Sequence, residues 1–324
     1  MTTGDGLTIG IDVGGTKIAA GLVTADGELR AHARHESPAA DATAIVGAIG
    51  DLVEKLIGSA EGQGEKVVGA GVAAAGFIDK ERSNVIFAPN LAWRDEPLRA
   101  HLEQRVGLPV VVENDANAAA WGEFRFGAAA DVDDLLLVTV GTGIGGGIVI
   151  DGNVLRGGFG FGAEVGHMCV VPEGRPCGCG NRGCWEQYCS GNALVRDTRE
   201  AVTDPAAQAL LERAGGDPER IDGPMITALA AEGDPFCVAR FADLGTWLGA
   251  GIASLGAVLD PTVIVVGGGV SDAGDLLLEP VRSSYARLLT ARAYRPIAQI
   301  RQASLGNRAG LLGAADLART PVSG

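Results

Sequence analysis

Aromatic side chains are scarce, 5% of the 324 residues, which argues against a β-sandwich packed through its rings. Basic residues are also a minority: 26 Lys and Arg stand against 40 Asp and Glu, for a net charge of −14. A field of that sign repels phosphate backbones, so nucleic-acid binding is not expected. A bound polyanion would need local compensation from backbone N–H groups or a metal. No run approaches the roughly 20 uninterrupted apolar residues of a membrane helix. Met1-Thr2-Thr3-Gly4-Asp5 also lacks the basic start and apolar stretch of a signal peptide. A cytoplasmic protein with no membrane association is therefore expected. The six cysteines are not spread as the disulfide framework of a small secreted domain. Disorder is excluded by the converse: 47% hydrophobic residues over this length fill a large core, most naturally split between two domains.

What abounds is glycine, 50 residues without a collagen-like period, so backbone turns carry much of the design. Leu7 to Asp12 is a short β-branched run, Asp12-Val13-Gly14-Gly15-Thr16-Lys17 a glycine turn, and Ile18 to Val23 a second strand, together a hairpin. Ile45, Ile49, Leu52, Val53, Leu56 and Ile57 follow at helical spacing, and residues 67–72 return to strand character. Strands interleaved with helices indicate a layered α/β domain. The opening pattern returns about 129 positions on: Leu135 to Val140, then Gly141-Thr142-Gly143-Ile144-Gly145-Gly146-Gly147, then Ile148 to Ile150. The repeat predicts two related lobes, each presenting a hairpin turn to a shared cleft. We place the small lobe at residues 1–118, completed by a C-terminal helix near 309–318, and the large lobe at 119–308.

Three glycine clusters suit a nucleotide. In the first, turn N–H groups of Gly14 and Gly15 and the Thr16 hydroxyl can donate to phosphate oxygens, with Lys17 beside them. Asp12 can hold a hydrated Mg²⁺. A plain hairpin whose Asp bonds its own backbone stays open on this motif alone. The second turn, Gly141-Thr142-Gly143, is neither a Walker loop nor a dinucleotide fingerprint, because a strand and not a helix follows it. Gly267-Gly268-Gly269 ends another strand and leaves a flat surface for a nucleoside.

Cys177-Gly178-Cys179-Gly180-Asn181-Arg182-Gly183-Cys184 places three thiols in a permissive loop, with His167 ten residues before Cys177. Three thiolates and an imidazole complete a closed tetrahedral zinc site of structural type. Cysteines separated by a single glycine strain a disulfide and suit a metal. Cys169, Cys189 and Cys237 have no partner at ligand spacing and are expected in the core. Val110 to Glu113 reads as a buried strand running into an Ala-rich helix, capped by Asn114 or Asp115. Asp115 is the candidate base: at a helix start the dipole should keep it ionised, ready to take a proton from an attacking alcohol. Asn114, Glu164, His167 and Glu186 supply polar company of the kind that hydrogen-bonds a polyol.

In this order and combination the motifs identify the chain as similar to the ROK family of sugar kinases, nearest its ATP-dependent bacterial glucokinase branch. The likeness runs from the Asp12 turn through Glu113-Asn114-Asp115, Gly141 to Gly147, Gly162 to His167 and Cys177 to Glu186, ending at Gly267 to Gly269. It implies an actin-like, ribonuclease-H-like ATPase fold with two lobes that close on sugar and ATP. It also implies transfer of the γ-phosphoryl group to the 6-hydroxyl of glucose with Asp115 as base. Asn90, Asn114, Glu164, His167 and Glu186 would hold the sugar, His167 being shared with the zinc. Relatives of this kind are dimers or tetramers. The chain departs from them at Ala75, where many carry Pro before the final Gly of Gly71 to Gly76. Other hexoses and polyphosphate as donor are alternatives, although the intact cysteine cluster resembles the ATP-dependent branch. A sugar-responsive regulator would carry a DNA-binding domain ahead of the first glycine turn, where only eleven residues stand.

Overall fold

The structure, a computed structural model, describes residues 6–319. It opens with β1 (Leu7–Val13), β2 (Lys17–Val23) and β3 (Leu29–Glu36), an antiparallel meander in which Asp12 lies opposite Ala19. Helix α1 (Ala42–Glu61) follows, capped by the Asp41 carboxylate on the Ala44 N–H, and buries the Ile45, Ile49, Leu52, Val53 and Leu56 face read from the sequence. β4 (Val67–Ala74) then pairs parallel with β1. After a small sheet of β5 (Phe77–Ile78), β6 (Val85–Phe87) and β7 (Arg94–Glu96), helix α2 (Leu98–Val106) leads to β8 (Val110–Asn114), which pairs parallel with β4. Helix α3 (Asp115–Phe126) starts at the very next residue.

β9 (Leu135–Val140), β10 (Ile144–Ile150) and β11 (Asn153–Val154) begin a second sheet. Helices α4 (Glu186–Cys189), α5 (Gly191–Glu200), α6 (Gln208–Arg213), α7 (Gly223–Ala231) and α8 (Pro235–Leu259) come next. β12 (Val263–Gly267), α9 (Asp275–Leu288), β13 (Gln299–Gln302) and α10 (Ala309–Leu317) close the chain. The first sheet has the order β3-β2-β1-β4-β8 and the second β11-β10-β9-β12-β13. The two orders are one plan used twice: a three-strand hairpin extension, then two strands brought in by crossover, the last pair parallel in each sheet.

Among the described residues two compact units result, one of residues 6–137, 147–163 and 304–319, the other of 138–146 and 164–303. Helix α3 runs unbroken through residue 118 because α10 packs directly against it: a Cβ on Gly313 would collide with the Ala118 carbonyl, and one on Gly122 with that of Ala309. A Cβ on Gly71 would likewise strike Ala314, so α10 also lies flush on β4. Among the described residues α8 alone is long and apolar enough, by composition, to cross a membrane. Half of that stretch is buried, and it contributes Leu244, Leu248 and Ile252 to the core of the second unit.

Candidate active site

In the first unit the strand β1 delivers Asp12 to the edge of an exposed turn. Gly14 donates to the Lys17 carbonyl at 3.0 Å, and Gly15, Thr16 and Lys17 are exposed. Asn90 comes to the same turn: a Cβ on Gly15 would sit 3.6 Å from the Asn90 Cβ. Asn114, and not Asp115, is the N-cap of α3. Its Oδ1 accepts from the N–H groups of Ala116 (2.9 Å) and Asn117 (3.1 Å), and its Nδ2 donates to the Gly76 carbonyl at 3.1 Å. Two lone pairs and one N–H are thus spent on the fold, which leaves one N–H to offer a ligand.

The Asp115 carboxylate accepts from the Ala116 N–H at 2.9 Å. The helix start was expected to keep it readily ionised; burial overrides this and pushes its pKa up, with the amide hydrogen bonds pulling only partly the other way. Asp12 behaves alike: burial, then the charge of Asp115, raise its pKa from 3.8 to about 6, against a smaller pull from Lys17. Both acids flank Gly310 of α10, where a Cβ would lie 3.7 Å from the Asp12 carboxyl carbon and 3.8 Å from the Asp115 carbonyl oxygen. A raised carboxyl pKa means the native state holds its proton longer than the unfolded chain does. Stability is therefore full below pH 3.8, falls as pH rises toward about 6, and stays lowered above it, by at most ~3 kcal/mol. Asp12→Asn should consequently raise the melting temperature at pH 7.5, with the gain vanishing near pH 3.8, in paired thermal scans across that range.

In the second unit the four expected metal ligands converge. One donor atom each from His167, Cys177, Cys179 and Cys184 lies within 4.8 Å of the others. Tetrahedral zinc with Zn–S near 2.3 Å requires sulfurs about 3.8 Å apart, and sulfur to nitrogen about 3.5 Å. Cys179 Sγ is 3.6 Å from Cys184 Sγ, and Cys177 Sγ is 3.7 Å from His167 Nδ1. The donor set and spacing fit zinc, with Nδ1 of His167 toward the sulfurs. Behind them Trp185 is fully buried and donates from Nε1 to the Trp247 carbonyl on α8, which staples the loop to the core. Cys189 and Cys237 are buried as expected, but Cys169 is exposed and is not a core residue; its backbone forms an isolated bridge with that of the buried Cys184.

Glu186 joins the metal loop to the second glycine turn. Its Oε1 accepts from Cys177 Sγ at 3.0 Å, while Oε2 lies 2.5 Å from where a Cβ on Gly143 would stand. The turn is also docked on the head of α5, where the Gly191 and Asn192 N–H groups donate to the Gly141 and Thr142 carbonyls at 2.8 and 3.4 Å. Thr142 itself is exposed. Gly143→Ala would push Glu186 aside, so we expect the metal content to hold while the Glu186 carboxylate shifts, read from metal analysis and the structure of the variant. Glu164 lies exposed at the start of the 165–167 turn, whose His167 N–H donates to the Glu164 carbonyl at 3.1 Å. Gly267 is buried as the last residue of β12. Gly268 and Gly269 are the exposed pair, Gly268 at φ 83°, where a Cβ would be 2.5 Å from the Val140 carbonyl.

The sequence reading missed a buried ionic cluster immediately before the candidate base. Glu113, 1% exposed, receives Arg82 Nε at 3.0 Å and Arg156 Nε at 2.9 Å on Oε2. A charge ending the apolar run Val110 to Val112 was the available signal, since a buried carboxylate demands a partner.

Two sheets of one order, each opening in a hairpin closed by an exposed glycine turn, define a duplicated, actin-like α/β ATPase fold. The chain belongs to the ROK family, whose sequence profile matches residues 8–321. A glucokinase of Streptomyces coelicolor is 49% identical over 318 residues, 98% of each chain. Among solved structures, a ROK family glucokinase from Streptomyces griseus in complex with glucose and AMPPNP has a TM-score of 0.85 at 51% identity, covering 97% of this chain and 99% of that one. A xylose repressor of Bacillus subtilis is 29% identical over 315 residues, 95% of this chain and 76% of its own. Kinases and regulators thus share the family.

Proposed function

We propose that the chain is an ATP-dependent glucokinase that forms glucose 6-phosphate and ADP. The observation that carries the reading is Asp115, a recessed carboxylate at the head of α3, oriented by the Ala116 N–H and raised in pKa by burial. A carboxylate so placed can accept the proton of an attacking alcohol. The 6-hydroxyl oxygen forms a bond to the γ-phosphorus, the bond from that phosphorus to the β,γ-bridging oxygen breaks, and the hydroxyl proton goes to Asp115. The transition state is loose, so positioning and charge neutralisation do most of the work.

Donor and acceptor are read from the Streptomyces relatives, one of which carries glucose and AMPPNP. The turn N–H groups other than those of Gly14 and Gly141, which are spent within their own turns, and the Thr16 and Thr142 hydroxyls would bind the phosphates, and Gly268 and Gly269 the nucleoside. Mg²⁺ near Asp12 would neutralise phosphate charge. Asn90, the free N–H of Asn114, Glu164, Glu186 and the outward Nε2 of His167 would hold the hexose. Zinc would fix the ring of His167 by its other nitrogen. ATP as donor agrees with a cytoplasmic enzyme.

A coupled ADP-release assay tests this, with glucose, fructose, mannose and N-acetylhexosamines each offered with ATP and with polyphosphate. Glucose with ATP should give the highest kcat/KM. A different best hexose would redirect the reading within the kinases. Absence of any sugar-dependent ADP release would remove the catalytic reading altogether and favour a regulator.

A further inference from the structure

We infer that Arg156, through Glu113, is the positioning residue that holds Asp115 in place for phosphoryl transfer. The inference rests on the proposed role of Asp115 as base. Arg156 touches none of the candidate ligand groups. All three of its side-chain nitrogens are committed: Nε donates to Glu113 Oε1 at 3.2 Å and lies 2.9 Å from Oε2, Nη1 donates to the Lys80 carbonyl at 2.7 Å, and Nη2 to the Asp79 carbonyl at 2.9 Å. Only a planar fork reaches three acceptors in this way. The Glu113 Oε1 it helps fix then spans the strand-to-helix joint. It accepts the Asn114 N–H at 2.9 Å and the Asn117 Nδ2 at 3.3 Å, one before and one two residues after Asp115.

The same loop is held a second time, since Asn114 Nδ2 donates to the Gly76 carbonyl. The Arg82 carbonyl accepts the Val112 N–H at 3.1 Å, with Arg82 itself at φ 56°. Residue 115 therefore has a neighbour pinned on either side, and both pins end at one buried carboxylate whose orientation two arginines set. Arg156 also begins the glycine-rich run toward Glu164. Its carbonyl accepts the Gly162 N–H at 2.9 Å, and Phe161 stacks edge-on against Phe77 at 5.5 Å. Charge alone does not explain this arrangement, because one arginine would neutralise Glu113. The second supplies geometry.

The test compares R156K and E113Q with wild type, singly and in a D115N background. R156K keeps the charge and loses the fork, and E113Q keeps one accepting oxygen. We expect kcat to fall about tenfold for either in the wild-type background, with KM for ATP unchanged within about twofold. In the D115N background the same changes should cost less than about twofold, because a misplaced base that is already absent cannot be lost again. Equal losses in both backgrounds would assign the cluster to general stability and overturn the inference. So would unchanged kcat in both single variants, or failure of both to fold by near-ultraviolet circular dichroism. If D115N leaves turnover intact, it is the role of Asp115 that fails, a separate outcome from loss of coupling.

Discussion

Asp115→Asn is expected to lower kcat about a hundredfold or more while leaving KM for the hexose nearly unchanged. The amide keeps the shape of the carboxylate and can still accept the Ala116 N–H, so loss of the proton acceptor is isolated from loss of the contact. The structure adds a second consequence of opposite sign. Burial raises the Asp115 pKa, so the ionised form is a burden on the folded state above the ordinary aspartate range. That burden grows as pH rises and disappears in acid. D115N should therefore melt at a higher temperature than wild type at pH 7.5 even as it loses turnover, with the gain shrinking as pH falls toward 4. Initial rates and calorimetry on the same preparations check both halves. Near-normal turnover removes Asp115 from the mechanism, and an unchanged melting temperature contradicts the electrostatic account of its burial. Together with Asp12, raised partly by the same neighbour, it makes the site a place where stability is given up for function.

Stripping zinc should have the largest structural effect. Without metal, burial pushes the Cys177 thiol up to about 12 and raises Cys184 as well. Bound zinc would hold both as thiolates, so protons are released on binding and affinity must weaken steeply in acid. The loop from His167 to Glu186 has almost no regular structure, so the four ligands and the Trp185 anchor are what fix its path. We expect about one zinc per chain, near zero in Cys177→Ser. The melting temperature of that variant should fall by roughly 10 °C, as a loss of several kcal/mol implies for a unit of this size. Because Glu186 lies between the Cys177 sulfur and Gly143, a loop that loses its path should displace it, and sugar and donor KM should both rise. Elemental analysis with calorimetry on chelated and reconstituted protein measures this. A metal-free protein that melts as the native one does would leave the cluster without its structural role.

The repeat, the strands, the face of α1 and the convergence of His167 with three cysteines were legible because each is a local pattern or a short spacing. What the sequence concealed depends on long-range packing. Nothing local says that Arg156 reaches Glu113 across 43 positions. Nor does anything local show that Glu123 is buried to hold the Ser304 and Leu305 N–H groups at the start of the final return. Asn114 and Asp115 were both plausible caps. The choice fell to Asn114 because its side chain at the strand end can face the first-turn N–H groups while also serving Gly76. The ionisation of Asp115 was misjudged for a related reason: a helix dipole is visible in sequence, but the depth of a pocket is not. Cys169 shows the same limit, since a thiol without a ligand partner can line the outside of a loop as readily as a core.

The doubled strand order has a further meaning for how the chemistry could have arisen. At corresponding points of the two hairpins, one residue before the end of the first strand, one half bears Asp12 and the other Thr139. An ancestral unit copied intact would have carried the acid in both hairpins. A carboxylate in one hairpin and a neutral hydroxyl in the other make a repeated scaffold chemically unequal. Repetition of backbone is thus kept while the side chains diverge.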